Sequence, residues 1–121
     1  MNCAALPSEL LESELFGYRR GAFTGADRDF PGLVNRAQGG TLVLDEIQSL
    51  SPQDQARLLR FLGEREFRSV GDDKVKKSDA LIILSTNRNL KEMVATGEFR
   101  RDILDRASAK IRIPCLYERR S

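Results

Sequence analysis

Gly39-Gly40-Thr41-Leu42-Val43-Leu44-Asp45-Glu46 is the stretch that decides the fold class. Its apolar run is continuous rather than alternating, and so is Ala80-Leu81-Ile82-Ile83-Leu84 further along. Continuous runs of this kind are strands buried on both faces, as in a parallel sheet covered by helices. Each run ends in polar residues at its C-terminal end, Asp45-Glu46 in one and Ser85-Thr86-Asn87 in the other. In open α/β sheets ligands sit just beyond those ends. The two tips are therefore expected to converge on one ligand site.

Outward from these runs the chain carries helical patterns and turn signals. Leu6 to Phe16 reads as a helix, with Leu6, Leu10 and Leu11 near one face, the glutamates mostly outside and Gly17 as its stop. Gly32 to Gln38 is a short amphipathic stretch. Ser51-Pro52 opens a second helix, an N-cap followed by proline at the first helical position, with Leu58, Leu59 and Leu62 inward. Arg68 to Lys77 is polar, and its Gly71-Asp72-Asp73 turn signal suggests a hairpin. Leu90 to Arg106 is helical with a break at Thr96-Gly97, and Lys110 to Ile113 reads as a last short strand stopped by Pro114.

Composition narrows the function classes. The chain has 121 residues, enough for one small domain or a piece of one. A net charge of +2 is too weak to argue for nucleic-acid binding. The absence of histidine excludes imidazole catalysis and histidine metal sites. No apolar stretch approaches the ~20 residues needed to cross a bilayer, and no charged-then-apolar leader opens the chain. Cys3 and Cys115 lack metal-ligand spacing and point to reduced thiols, hence to a cytoplasmic location.

Two places carry candidate chemistry. An apolar strand delivering Asp45-Glu46 suits nucleotide hydrolysis, the first acid holding Mg²⁺ and the second polarising the attacking water. A strand that ends in a solvated turn fits the same residues. Gly21 and Gly25 bracket Ala22-Phe23-Thr24, and glycine at both ends lets the segment swing as a unit. Its aromatic is either a contact for a protein partner or a side chain tucked back into the core.

Gly21-Ala22-Phe23-Thr24-Gly25-Ala26 spells GAFTGA. It follows Glu12-Ser13-Glu14-Leu15-Phe16-Gly17 and precedes Gly39 to Ile47. In this order the residues resemble the AAA+ ATPase domain of bacterial sigma-54-dependent transcriptional activators, the enhancer-binding proteins. GAFTGA is specific to that family, whereas an apolar strand ending in Asp-Glu is shared by many ATPases. The resemblance covers essentially the whole chain. It implies an α/β fold, a partial AAA+ P-loop NTPase core with a mostly parallel sheet between helices. Residues 1–121 would form one partial domain, with the loop at 21–26, the Walker B strand at 41–46, the sensor I strand at 80–87 and the arginine-finger segment at 99–106.

The function implied is ATP hydrolysis in a hexameric ring, with Mg²⁺, coupled to remodelling of the sigma-54 RNA polymerase holoenzyme. DNA would be reached only through a domain outside this chain, and no membrane is involved. In the family the GAFTGA loop interrupts a helix and reaches out of the ring, which makes Phe23 and Thr24 the contact residues. Asp45 and Glu46 match the Walker B pair. Asn2 matches an asparagine that pairs with the Walker B glutamate and switches it. The 68–77 segment resembles a second pore-facing loop that moves with the first. Thr86 and Asn87 match the tip that reads the γ-phosphate, and their alternative role is capping the following turn. Arg100 and Arg106 match fingers that reach a neighbouring subunit's ATP site. For Arg106 the alternative is an i,i+4 pair with Asp102.

The chain departs from the family pattern in several places. No Gly-x-x-x-x-Gly-Lys-Ser/Thr occurs, so the phosphate-cradling loop and its strand are missing, and so is the helical lid. The chain therefore reads as an excerpt, inactive on its own. The rival from another class is a non-enzymatic interaction segment that keeps the sigma-54-contacting loop but does not bind ATP. Leu33-Val34-Asn35 stands where Arg-Phe-Glu is usual, and Ala107-Ser108-Ala109, Cys115 and Tyr117 depart from the usual ending.

Overall fold

A computed structural model of the chain describes residues 1–106. The expected strand at Lys110–Ile113, its stop at Pro114, and the departures at 107–109, Cys115 and Tyr117 lie outside the described residues. β1 (Thr41–Leu44) and β4 (Leu81–Leu84) pair in parallel, Val43 beside Ile83 and Leu44 beside Leu84. A third strand end lies on the other side of β1. The Met1 amino group donates to Val43 O (2.7 Å), Asp45 N–H to Met1 O (2.8 Å) and Cys3 N–H to Asp45 O (2.9 Å). The order across the sheet is thus residues 1–3, β1, β4.

Among the described residues five helices accompany these strands. α1 spans Ser8–Phe16 and α2 Gly32–Arg36, with the GAFTGA stretch in the loop between them. α3 spans Pro52–Glu64, α4 Leu90–Ala95 and α5 Arg101–Arg106. The Ser51 hydroxyl accepts from Asp54 N–H at the start of α3, with proline at the first turn, as the sequence signals. Asn89 caps α4 by accepting from Lys91 and Glu92 N–H, and the helix gives way at Thr96-Gly97. β2 (Glu66–Phe67) and β3 (Lys76–Lys77) form the expected hairpin around Gly71.

The core gathers Leu42 and Leu44 of β1 with Val34, Ile47, Leu58, Phe61, Met93, Phe99 and Ile103. Phe16 packs edge-on against Phe61 at 5.5 Å and stacks on Phe67 at 6.1 Å. Asp54, buried, joins α1 to α3 by accepting from the Ser8 hydroxyl (2.8 Å) and pairing with Arg57 (3.0 Å).

Two expectations need correction. The strands are not buried on both faces. Leu42 and Leu44 are buried, whereas Val43, Leu81 (60% exposed) and Ile83 (44%) face solvent on the opposite side of the sheet, because no element among the described residues covers it. On α1 the inward stripe is Leu11 and Leu15 at i,i+4 spacing, and Leu10 is exposed. The helix starts at Ser8, and its orientation against α2 and α3 turns position 10 outward.

Candidate functional site

The strand tips meet. Ser85 N–H donates to Leu44 O (2.9 Å) and Ile47 N–H to Ser85 O (3.1 Å), which locks the β1 and β4 ends side by side. The Asp45 carboxylate is exposed, and its Oδ1 accepts from the Ser85 hydroxyl and from Glu46 N–H (2.9 Å). Glu46 turns the chain sharply in the left-handed region (φ 56°, ψ 48°). Non-glycine residues adopt that region at a cost, and such positions cluster at functional sites. A short 3₁₀ turn, Ile47–Ser49, follows.

The second tip is tied to this turn through Gln48. The Thr86 hydroxyl donates to Gln48 Oε1 (2.7 Å), and Gln48 Nε2 donates to Asn87 Oδ1 (2.9 Å). Thr86 also accepts from Arg88 N–H (3.1 Å), while the cap of α4 belongs to Asn89. Asn2 lies beside Asp45 through a parallel backbone bridge. Its Oδ1 accepts from Ala4 N–H (2.8 Å), and among the described residues it makes no hydrogen bond to Glu46. The structure thus brings Asn2, Asp45, Glu46, Thr86 and Asn87 together. Ser85, part of the polar tip that the sequence shows, orients Asp45. Gln48, which ties Thr86 and Asn87 to the acid turn, does not stand out in the sequence as a site residue, and its signal is position alone, two residues after Glu46.

The arginine segment lies at α5. Arg100 makes a two-point ion pair with Asp102, its Nε to Oδ1 (3.0 Å) and its Nη2 to Oδ2 (2.8 Å). The hydrogen bond to Arg100 holds the Asp102 carboxyl below the usual carboxylate range and raises the Arg100 guanidinium further. Both Asp102 oxygens accept from Arg100, and among the described residues no ion pair joins Asp102 to Arg106. The Arg106 guanidinium lies over Gly63 of α3, where an added methyl would sit 3.3 Å from Nη2.

The GAFTGA loop is a separate assembly. Gly21 N–H donates to Ala26 O (2.8 Å) and Ala26 N–H to Phe23 O (3.1 Å), closing a compact tip. Phe23 is 43% exposed, its ring edge-on to Tyr18 at 4.9 Å. It is not a core side chain. The loop is joined to the β2–β3 hairpin: Arg19 N–H donates to Val70 O (3.0 Å), Val70 N–H to Gly17 O (2.8 Å), and Arg19 pairs with Asp72 at 3.6 Å. The backbone N–H of Lys74, then Arg19, hold the Asp72 carboxyl below its usual range. Among the described residues no hydrogen bond or ion pair joins 17–31 to the strand tips.

The family described as "Sigma-54 interaction domain" matches residues 1–112. The chain belongs to that family. The Nif-specific regulatory protein of Azospirillum brasilense is 54% identical over 121 residues, 99% of this chain and 19% of the relative. The hydrogenase transcriptional regulatory protein HoxA of Bradyrhizobium diazoefficiens is 51% identical over 119 residues, 98% of this chain and 24% of that protein. This sigma-54 interaction segment thus spans about a fifth to a quarter of the length of these curated relatives.

Solved structures agree on the fold. NtrX from Brucella abortus superposes with a TM-score of 0.87 at 36% identity, over 99% of this chain and 27% of that one. NtrX in complex with ADP matches at 0.80 and 37%, over 90% and 23%. Hsp104 of S. cerevisiae, in its casein complex, shares the fold at 0.60 and 23% identity, over 90% and 22%. The sigma-54 interaction segment is a partial AAA+ core. Its departure at Leu33-Val34-Asn35 keeps an apolar centre, since Val34 is fully buried. Among the described residues no helix is long and apolar enough to cross a membrane.

Proposed function

We propose that this chain is the catalytic and coupling part of an ATPase that works as a ring, a hexamer, and remodels sigma-54 RNA polymerase in the cytoplasm. The observation that carries the reading is the convergence of three parallel strand tips on Asp45 and Glu46, in a member of the sigma-54 interaction family. Asp45 is the residue to hold Mg²⁺. That ion usually takes one or two carboxylates together with substrate phosphates and water. A single exposed carboxylate, oriented by Ser85 and the Glu46 N–H, fits that demand, and among the described residues there is no three-acid cage. When bound, the ion neutralises charge on the phosphates.

Glu46 polarises the attacking water, and Asn2, beside the acids, pairs with Glu46 in one nucleotide state. Thr86 and Asn87 read the γ-phosphate of ATP, and Gln48 carries their position back to the acid turn. Arg100 and Arg106 stabilise charge in the neighbouring subunit's site, a contribution of about 10³–10⁵ in rate when a finger is supplied in trans. The Gly-Lys phosphate cradle and the DNA-binding domain belong to other parts of the full protein. Phe23 and Thr24, on Gly21-Ala22-Phe23-Thr24-Gly25-Ala26, touch sigma-54.

The test uses a full-length activator carrying this segment. Glu46→Gln should keep ATP binding and lower turnover by about 10²-fold or more, since only the water-activating group changes. Thr24→Ala should leave ATPase intact and abolish open-complex formation at a sigma-54 promoter. Turnover at the parent rate in Glu46→Gln would remove Glu46 from catalysis. Equal loss of both activities in folded Thr24→Ala would place the loop in the core instead.

A further inference from the structure

Gln55 is a buried polar side chain, 3% exposed, that neither the acid site nor the loop uses. It sits in the first turns of α3. Its Nε2 donates to Leu50 O (3.0 Å) and to Glu98 O (3.3 Å), and its Oε1 accepts from Arg100 N–H (3.0 Å). The partners fix the orientation of the amide, because two carbonyls require the NH₂ group and one N–H requires the oxygen. A buried carboxamide satisfied on three sides, with partners in the turn just before α3 and in the distant 98–100 segment, holds the two in register.

What it joins is specific. Leu50 closes the 3₁₀ turn that begins at Glu46. Glu98 pairs with Arg88, directly after the Thr86-Asn87 tip, at 3.3 Å. Arg100 opens the arginine segment, and eight residues further along α3, Gly63 leaves room for the Arg106 guanidinium. One face of α3 therefore meets both ends of that segment.

We propose that Gln55 is a positioning residue that sets Arg100 and the α5 arginines from the acid turn of the same subunit, so that they are presented to the next subunit's ATP. This rests on the reading of those arginines as acting across subunits. A side chain that serves the neighbour's site has a directional signature in mixed rings, which a merely structural one lacks.

The experiment uses full-length activator subunits in three variants: Gln55→Met, Glu46→Gln, and Arg100→Ala with Arg106→Ala together. Gln55→Met alone should bind ATP with unchanged affinity and lose about 10²-fold in kcat, the scale of a misplacement of about 1 Å. Mixed with Glu46→Gln it should regain activity, because its intact acids then meet well-placed arginines. Mixed with the double-arginine variant it should stay inactive, because both partners present faulty arginines. The opposite pattern would show that Gln55 acts on its own acid turn and overturn the proposal, as would recovery in both mixtures or in neither. The reference mixture, Glu46→Gln with the double-arginine variant, must itself recover; its failure despite co-assembly sinks the cross-subunit reading, and this proposal with it. Assembly is read by size-exclusion chromatography. Should Gln55→Met not assemble, Gln55→Glu, which keeps the length and the acceptor, takes its place. Failure of both to assemble would make Gln55 a folding residue and refute the positioning role.

Discussion

Gly17, at the base of the GAFTGA loop, has φ 83° and ψ 176°, a conformation essentially restricted to glycine. A Cβ there would lie 2.4 Å from Phe30 O, and one on Gly32 would lie 2.4 Å from Gly17 N. The two strands of the loop's neck cross through the space that side chains would need. Gly17→Ala therefore combines dihedral strain, about 1–3 kcal/mol, with a clash against backbone that no rotamer can relieve. The same residue accepts from Val70 N–H, so a shifted neck also loosens the hairpin beside the loop. The expected result, read in a full-length activator, is a loss of several kcal/mol in urea unfolding of this domain, with the hairpin's amides exchanging faster. An unchanged midpoint would show that the neck can open without cost. Gly17 is legible in the sequence only as a helix stop; its close approach to Gly32 comes from tertiary crossing that spacing does not encode.

At the scale of elements, α3 is the most legible piece. Ser51-Pro52 announces its start, and Leu58, Leu59 and Leu62 its inner face. What the pattern does not reveal is what its polar residues touch. Asp54 and Gln55 fall outside that pattern, yet both are buried and bonded to distant segments. The strands are legible as elements, as a parallel pair and as neighbours at their tips. Their burial is not, because a continuous apolar run states what a sheet face can tolerate, not what covers it. Gly63 offers a test on α3. Glycine within a helix is about 0.5–1 kcal/mol less favourable than alanine. The added methyl would meet only the far end of the Arg106 side chain, at 3.3 Å, which can yield by a few tenths of an ångström. Gly63→Ala in a full-length activator should thus stabilise this domain by about 0.5–1 kcal/mol in a denaturant melt. Destabilisation would mean that the Arg106 guanidinium is held rigidly over α3.

At the scale of the molecule, the outer side of the β1–β4 sheet is left uncovered among the described residues. Val43, Leu81 and Ile83 are exposed on one face, and Val43 and Ile83 are direct neighbours in register, so the three form one apolar patch. β1 is paired on both sides, with β4 and with residues 1–3. β4 has a partner on one side only among the described residues. An unpaired edge next to an uncovered apolar face is a template for pairing with other chains. Burying each such side chain contributes about 1.5–3 kcal/mol, and typical domains hold only ~5–15 kcal/mol in total. The 121-residue chain on its own is therefore expected to self-associate or to melt without a sharp transition, with β4 as the sticky segment. Ile83→Lys places a charge in the middle of the patch while leaving the buried side of the sheet, Leu42 and Leu44, untouched. It should shift the isolated chain toward monomer in light scattering and size-exclusion chromatography. A monomeric parent chain with a cooperative thermal transition and dispersed amide NMR signals would refute the expectation, and would mean that this side of the sheet is closed within the chain itself.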